Sequence, residues 1–322
     1  MSLDIVVVMD PIEAIKIAKD STFAMLLEAQ RRGHRLNYVV PGGLFLADGT
    51  AMATVARLAV REDKDQWFDL EPQSQIELGP GHAVLMRKDP PVDADYLHDT
   101  HLLGLAQRQG ALVVNDPQGL RDINEKLGAL EFPQCCPPTL VSRDAAALKR
   151  FVNQHGEAVL KPLDGMGGRS IFRARAGESN LNVILETLVG AGLTDGGKHL
   201  ALAQRYLPEI AEGDKRILLV DGEPVPYCLA RIPQGDEFRG NLAAGGRGEG
   251  RPLGERDRWI AAQVGPELRR RGMLFVGLDV IGDYLTEVNV TSPTCIRELD
   301  AQFGLNIAGL LFDRIEALHA AR

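Results

Sequence analysis

The sequence predicts an α/β chain in which an open α/β sheet is followed by α+β structure. Apolar runs of strand length alternate with amphipathic stretches over roughly residues 1–120, the pattern of βαβ units. From residue 137 the strand-like runs meet at turns such as Asp221-Gly222, which is typical of antiparallel hairpins. A chain of 322 residues with 45% hydrophobic content is also long enough for two or three domains.

The N-terminal elements follow in βαβ order. They are a strand over 5–9, a helix over 13–32, and strands over 36–40, 83–87 and 111–115. After the last strand, Asp116 is a plausible N-cap and Pro117 suits the first helical position. We place the domain boundary there, with an N-terminal domain over 1–122 and a second region over 123–322.

The second region has shorter, hairpin-like units. Its helices are predicted over 145–155, 182–189, 256–271 and 306–319, and its strands over 158–162, 170–175, 200–207, 215–220 and 225–230. The stretch 232–254 is rich in Gly and Arg and has no periodicity. A loop of that length inside a compact region is usually functional or disordered.

Composition excludes several function classes. With 44 acidic and 36 basic residues the net charge is −8, so no nucleic-acid partner is expected. No apolar run reaches the roughly 18 residues of a membrane-spanning helix, and the N-terminus reads as a first strand, so we expect no membrane association. The four cysteines contain no C-x-x-C pair, which fits a reducing cytoplasm best.

A glycine-rich loop separates two predicted strands of the second region. Gly165, Gly167 and Gly168 leave the backbone free to present amide groups to phosphate. Met166 can cover a nucleotide or pack inward, and Lys161, on the preceding strand, can neutralise a phosphate oxygen. A plain hairpin tip would use the same glycines. The order of residues is neither that of a P-loop nor that of a dinucleotide fingerprint.

Oxygen-bearing side chains lie near a second predicted hairpin. Asp279, Glu287 and Asn289 offer the hard oxygen ligands that Mg²⁺ prefers. Because Glu287 and Asn289 are two apart on a strand, both leave from the same face. The alternative is a strand whose polar face is solvated.

The turn of this hairpin decides whether Asp279 can join the set. A two-residue turn at Gly282-Asp283 would pair Asp279 with Thr286 and place Glu287 on the opposite face. A longer turn or a bulge would pair Asp279 with Glu287 directly. If the metal site is right, we therefore predict an odd-length turn over 282–284.

Seven segments give the chain a resemblance, essentially from end to end, to the bacterial glutathione synthetases of the ATP-grasp superfamily. They are NEK (124–126), LKPLDGMGG (160–168), QRYLP (204–208), GDKR (213–216), DGEPVPYCLARIP (221–233), RGNLAAGG (239–246) and TEVNVTSPT (286–294). The resemblance implies a two-subdomain ATP-grasp catalytic region, with a central lid subdomain over about 128–203 and a C-terminal metal and substrate subdomain over about 204–322.

The resemblance also implies where ATP and metal bind. ATP would lie between the subdomains, with its phosphates on Lys126 and Lys161 beneath the glycine loop. Gln204, Tyr206 and Leu207 would line the adenine pocket and Glu209 would hold the ribose. Mg²⁺, with Mn²⁺ as an alternative, would be held by Asp279, Glu287 and Asn289.

The implied reaction joins γ-glutamylcysteine and glycine through an acyl phosphate, which gives glutathione, ADP and phosphate. Concentrated positive charge is then needed, and Arg216 and Arg231 are the candidates for the transferred phosphoryl group and the acyl-phosphate oxygens. The loop 232–247 would act as a lid that excludes water, with Arg239 and Asn241 reaching the substrates. An unstructured surface loop is the alternative.

Substrate contacts are predicted on both sides of the metal strand. Asp10-Pro11, Ser21-Thr22 and residues 87–91 resemble family tracts that face the peptide site. Ser292, Thr294 and Arg297 lie just beyond the metal strand. Arg297 would pair either with a substrate carboxylate or in a structural salt bridge. Cys295 is expected to be a packed residue, and Cys135 and Cys136 have no assigned role.

Three other functions compete with this one. Another ATP-grasp ligase would share the nucleotide and metal residues, and a non-catalytic regulator would lack some of them, yet all are present. A dinucleotide-dependent oxidoreductase lacks its G-x-G-x-x-G motif after Met9. The family resemblance further implies a homotetramer.

Overall fold

The computed structural model describes residues 2–190, 199–242 and 245–322. The strands are β1 (Asp4–Val8), β2 (Arg35–Val39), β3 (Leu44–Ala47), β4 (Thr50–Val60), β5 (Phe68–Leu70), β6 (Ser74–Glu77), β7 (His82–Met86), β8 (Leu112–Val114), β9 (Thr139–Ser142), β10 (Glu157–Pro162), β11 (Phe172–Arg175), β12 (Ala201–Arg205), β13 (Asp214–Val220), β14 (Glu223–Ile232), β15 (Arg247–Pro252), β16 (Phe275–Ile281) and β17 (Tyr284–Asn289).

The helices are α1 (Ser21–Arg31), α2 (Ala94–Arg108), α3 (Pro117–Asp122), α4 (Leu127–Leu130), α5 (Ala145–His155), α6 (Leu181–Val189), α7 (Glu255–Arg270), α8 (Ile296–Phe303) and α9 (Ile307–Ala320). Short 3₁₀ turns occupy Ile12–Ala14 and Pro208–Glu212. Within the described ranges, no helix combines the length and the apolar content that crossing a membrane requires.

The first sheet is the open α/β sheet that the sequence predicts. Its strands run in the order β3-β4-β2-β1-β7-β8, and β5 and β6 also pair with β4. β1 pairs in parallel with β2 and β7, and β7 with β8. Because parallel strands end at a common edge, the loops after β1 and β7 meet there. At that edge the Asp89 backbone N–H donates to Asp10 Oδ2 at 2.8 Å.

The second sheet is antiparallel, in the order β11-β10-β12-β9, and α5 and α6 cover it with Leu148, Val152 and Leu185. α5 has the predicted bounds because Asp144 caps it, accepting from the Ala146 N–H at 2.9 Å. β10 and β11 pair with each other, so the glycine loop lies at the tip between them, as predicted.

The third sheet is antiparallel, in the order β15-β14-β13-β16-β17. Its apolar face shares one hydrophobic core with the first sheet, in which Val6 and Val84 accompany Ile217 and Leu278. A buried amide joins the two sheets: Asn115 Nδ2 donates to the carbonyls of Phe275 and Val290, at 2.8 Å each. The third sheet is therefore fixed to the N-terminal domain.

Two predicted boundaries were wrong. The helix predicted over 13–32 begins at Ser21, because Asp20 caps it by accepting from the Phe23 N–H at 2.6 Å. The loop predicted over 232–254 ends earlier, since Arg247–Pro252 pairs with β14 as an edge strand. Its Gly and Arg residues carry no hydrophobic alternation, so only tertiary pairing reveals it. Strands β3 to β6 and helix α8 were not predicted at all.

Candidate active site

A cavity lies between the second and third sheets and encloses about 860 Å³, part of it open to solvent. The predicted site residues that line it are Lys126, Lys161, Gly165, Met166, Gly167, Gly168, Gln204, Tyr206, Leu207, Arg239, Asn241, Asp279 and Glu287. These residues come from five separated stretches of the chain. The fold thus gathers most of the predicted nucleotide and metal residues around one space, while their roles stay predictions.

The two lysines reach the cavity from different elements. Lys161, on β10, is only 4% exposed, and its Nζ lies 3.1 Å from Glu287 Oε1. Lys126 precedes α4, and its Nζ donates to the Gly165 carbonyl at 3.1 Å and to the Leu163 carbonyl at 3.4 Å. Both lysines therefore line the cavity that the glycine loop borders, and each ammonium group has a protein partner there.

The two carboxylates are held side by side by strand pairing. Asp279 on β16 lies directly opposite Glu287 on β17, and the register shifts between Asp279 and Val280. The predicted odd-length turn was wrong: Ile281 pairs with Tyr284, which leaves a two-residue turn. Instead, Thr286 forms a β-bulge, which shifts the register by one residue and so pairs Asp279 with Glu287. Thr286 Oγ1 donates to the Asp279 carbonyl at 3.1 Å.

Arg216 and Arg231 both contact Asp279. Arg216 Nε donates to Asp279 Oδ1 at 2.6 Å, and Arg231 Nη2 lies 2.9 Å from Asp279 Oδ2. Burial alone would raise the pKa of Asp279, but the two guanidinium groups outweigh it and hold the pKa below its ordinary value. For Glu287 the same opposition holds: burial raises the pKa, while Lys161 and Lys126 bring it below normal. Both carboxylates are ionised at neutral pH.

The glycine loop contacts the segment that follows β14. Arg239 Nη1 donates to the Gly168 carbonyl at 2.8 Å. Gly168 has a φ of +79°, and a Cβ there would lie 2.9 Å from Asn241 Oδ1. Residues 243–244 of the predicted lid loop, and 191–198 of the predicted central subdomain, lie outside the described residues. The described part of the loop closes one side of the cavity.

The residues of the predicted adenine pocket, Gln204, Tyr206 and Leu207, all line the cavity. Gln204 is buried on β12 and its Nε2 donates to Thr139 Oγ1 at 3.2 Å. The guanidinium of Arg173 lies 3.9 Å from the centre of the Tyr206 ring. Glu209 does not line the main cavity but an adjoining recess that shares Tyr206 and Leu207 with it.

Several predicted residues lie away from the cavity lining. These are Asn289, Ser292, Thr294 and Arg297, together with Arg216 and Arg231, which sit behind Asp279. Arg297 forms a salt bridge with Glu62, with Nη2 2.6 Å from Oε1. Cys295 is fully buried in the hydrophobic core, as predicted for a packed residue. In the part of the chain that the structure describes, no three His, Cys, Asp or Glu side chains are grouped to hold a metal.

Asp214 is a lining residue that sequence reasoning missed. It begins β13, lines the cavity and pairs with Arg231 through Oδ2, while buried Oδ1 has no hydrogen-bond partner. Burial raises its pKa. Asp214 does fall within the GDKR segment, but nothing in the local pattern distinguishes it from a surface carboxylate.

Comparison with known proteins decides the family. The chain matches the model of the N-terminal domain of prokaryotic glutathione synthetase over residues 3–121, and that of its ATP-grasp domain over residues 125–304. The chain belongs to the prokaryotic glutathione synthetase family. It is therefore an ATP-dependent ligase that forms glutathione.

Curated members of the family match along nearly the whole chain. Glutathione synthetase of Xanthomonas campestris is 78% identical over 317 residues, covering 98% of this chain and 99% of the relative. That of Xylella fastidiosa strain Temecula1 is 69% identical over 316 residues, with the same coverage. That of Pseudomonas aeruginosa is 58% identical over 322 residues and covers both chains completely.

Solved structures support the ATP-grasp fold. The D-cycloserine synthetase DcsG superposes with a TM-score of 0.65 at 15% identity, covering 96% of this chain and 99% of that one. The ATP-grasp ligase PsnB, solved with a minimal precursor, Mg and ADP, gives a TM-score of 0.59 at 18% identity, with 98% coverage of both chains. At these identities the likeness describes the fold alone.

Proposed function

We propose that this family member joins γ-glutamylcysteine to glycine in the cavity between the second and third sheets. The observation that carries the proposal is the convergence of Lys126 and Lys161 with Asp279 and Glu287 beneath the glycine loop. A cavity with both cationic and hard-oxygen groups suits a magnesium nucleotide. In the reaction the cysteinyl carboxylate attacks the γ-phosphorus and ADP leaves. The glycine amine then attacks the acyl phosphate, expelling phosphate and losing a proton.

The first step requires two anions to approach each other. Lys126 and Lys161 neutralise the triphosphate, in place of the Gly165 carbonyl and the Glu287 carboxylate that they contact in the free chain. The glycine loop presents backbone amides to the same phosphates. At the other end, Gln204, Tyr206 and Leu207 hold the adenine and Glu209 the ribose. No nucleophilic side chain is needed, because the substrate carboxylate is the nucleophile.

The donor set fits magnesium. Asp279 and Glu287 are ionised, lie directly opposite each other, and are followed by the amide of Asn289 two residues along β17. We propose that these three residues hold Mg²⁺, or Mn²⁺ in its place. When bound, the metal supplies positive charge to the phosphates. Arg216 and Arg231 fix the orientation of the Asp279 carboxylate and place further positive charge behind it.

The acyl phosphate must be kept from water. The segment carrying Arg239 and Asn241 already rests on the glycine loop through the Arg239 to Gly168 hydrogen bond. We propose that loop 232–247 is a lid over the reacting groups, and that Arg239 and Asn241 contact the substrates there. Ser292 and Thr294, on the loop after β17, face the peptide substrate.

Measurement of ADP release tests this function. ATP and Mg²⁺ are supplied with γ-glutamylcysteine and glycine, and each amino-acid substrate is then omitted in turn. ADP release that needs γ-glutamylcysteine, with glutathione formed only when glycine is present, supports the proposal. ADP release that depends on neither substrate would contradict it.

Two further properties belong to the proposal. We expect a homotetramer, which light scattering of the purified protein measures directly. We also place the protein in the cytoplasm, because all four cysteines are free thiols and a reducing compartment keeps thiols in that state.

A further inference from the structure

β17 is the edge strand of the third sheet, so the backbone N–H groups on its outer side need partners from outside the sheet. The carbonyls of Cys135 and Glu125 supply them, and the Leu285 N–H donates to the Cys135 carbonyl at 2.8 Å. The Val288 N–H donates to the Glu125 carbonyl at 2.8 Å. Beyond the strand, Glu125 Oε1 accepts from the N–H of Val290 at 3.0 Å, from the N–H of Thr291 at 3.1 Å and from Thr291 Oγ1 at 2.8 Å.

We propose that Glu125 is a positioning residue for the ligase reaction, which sets the predicted metal ligands on β17 at a fixed distance from the phosphate-binding Lys126. The inference rests on the proposed roles of Lys126, Glu287 and Asn289. Glu125 is not among the residues that line the cavity, and no role was predicted for it within the NEK segment.

The geometry of the contacts carries the argument. Glu125 accepts hydrogen bonds from the chain on both sides of Asn289. Its backbone carbonyl accepts from Val288, and its carboxylate accepts from Val290 and Thr291. Its peptide bond leads directly to Lys126, whose ammonium lies beside the glycine loop. A shift of Glu125 would therefore move a phosphate-binding cation and a metal ligand relative to each other.

The segment after Asn289 is also held from its other side. Asn115 Nδ2 donates to the Val290 carbonyl at 2.8 Å, and Arg87 Nη2 donates to the Pro293 carbonyl at 3.0 Å. Thr291 is only 3% exposed, so water cannot replace its lost contacts freely. The buried side chains of Asn115 and Arg87 and the half-buried carboxylate of Glu125 thus fix this segment. Of the three, Glu125 is the one that connects it to the nucleotide side.

The test compares Glu125→Ala, Glu125→Gln and Thr291→Val by Mn²⁺ binding to the ADP complex, measured by electron paramagnetic resonance, and by steady-state kinetics. We expect Glu125→Ala to weaken Mn²⁺ binding by about 10- to 100-fold, the range found for residues that orient metal ligands. Glu125→Gln retains Oε1 as an acceptor and should recover most of that loss. Thr291→Val removes one bond of the three and should weaken binding by a few-fold.

Glu28→Ala is the matched control. Glu28, like Glu125, accepts three hydrogen bonds through its carboxylate, and its donors, Arg31 and Arg32, lie far from the cavity. The Glu28→Ala variant should have a lower melting temperature than the wild type and an unchanged Mn²⁺ affinity. Wild-type Mn²⁺ affinity in Glu125→Ala, or equal losses in the Ala and Gln variants, would overturn the inference. If Glu125→Ala does not fold, the Gln and Thr291→Val results decide. A wild-type protein that binds no Mn²⁺ with ADP would instead overturn the proposed metal site.

Discussion

Lys161 Nζ lies 3.1 Å from Glu287 Oε1, so a predicted phosphate-binding cation and a predicted metal-binding carboxylate neutralise each other in the free protein. Both side chains are largely buried, and neither charge is well solvated by water. A magnesium nucleotide presents an anion to the lysine and a cation to the carboxylate at once. When metal and nucleotide bind together, the ion pair between Lys161 and Glu287 is therefore replaced by two others, lysine with phosphate and carboxylate with metal.

Lys161→Gln should lower kcat/KM for ATP by about 10²- to 10³-fold, the loss typical of one charge-stabilising donor in an enzyme site. The Gln side chain removes the cation that faces the phosphates. Steady-state ADP release measures the effect. Lys149→Gln is the control, since Lys149 lies on α5, and its exposed Nζ donates to Asn182 Oδ1 at 2.9 Å, away from the cavity. A Lys161 variant with the kinetics of the Lys149 variant would refute the assignment.

Glu287→Ala should abolish ATP turnover while leaving the fold intact. Loss of a metal ligand removes several kcal/mol of charge stabilisation, which corresponds to at least about a hundredfold in rate. Turnover and circular dichroism are measured together. Glu223→Ala serves as the comparison, because the Glu223 side chain is 76% exposed and lies outside the cavity. Full magnesium-dependent activity in Glu287→Ala would eliminate the metal assignment.

Arg231→Met should destabilise the protein by about 3–5 kcal/mol, because it leaves two buried carboxylates, Asp214 and Asp279, short of a partner. Urea unfolding measures the change. The double variant Arg231→Met/Asp214→Asn should recover part of the loss, since it removes one unpaired charge. An additive loss in the double variant would mean that Arg231 and Asp214 do not interact.

Gly168→Ala should impair the enzyme more than Gly165→Ala does. Both positions have positive φ, +79° and +107°, so each substitution carries a backbone cost of about 1–2 kcal/mol. Only at Gly168 would the new Cβ also collide with a neighbour, at 2.9 Å from Asn241 Oδ1. We expect a higher KM for ATP in Gly168→Ala. Equal KM values in the two variants would show that contact between the loop and the predicted lid does not matter for binding.

Stability should depend on pH through Glu28. Hydrogen bonds from Arg31, and then from Arg32, lower the pKa of Glu28 to about 2. Burial of the carboxylate acts in the opposite direction but is outweighed. A carboxyl group whose pKa is lowered by folding stabilises the protein above its unfolded pKa, and this stabilisation is lost as the pH falls toward the folded value. The difference in unfolding free energy between wild type and Glu28→Gln should therefore be constant above about pH 5 and shrink toward pH 2. A difference that does not change over this range would contradict the ion-pair account.

Much of the secondary structure follows from residues close together in the sequence. Helix α5 has the predicted bounds because an amphipathic run follows the Asp144 cap. The hairpin of β10 and β11 follows from two strand-like runs around three glycines. By contrast, β15 has no hydrophobic alternation and forms only because β14 offers it an edge. The first helix was predicted to begin at residue 13 instead of Ser21, because hydrophobic periodicity alone does not identify the capping residue.

The sequence by itself determined the kinds of group at the site: lysines, a glycine loop, and a carboxylate and an amide two residues apart on one strand. The tertiary structure decided how they meet. The bulge at Thr286 pairs Asp279 with Glu287, and packing of the second sheet against the third brings Lys161 to Glu287 across 126 positions. Caps and periodicity depend on neighbours within a few residues, whereas these contacts depend on the packing of whole sheets. No local pattern encodes that packing.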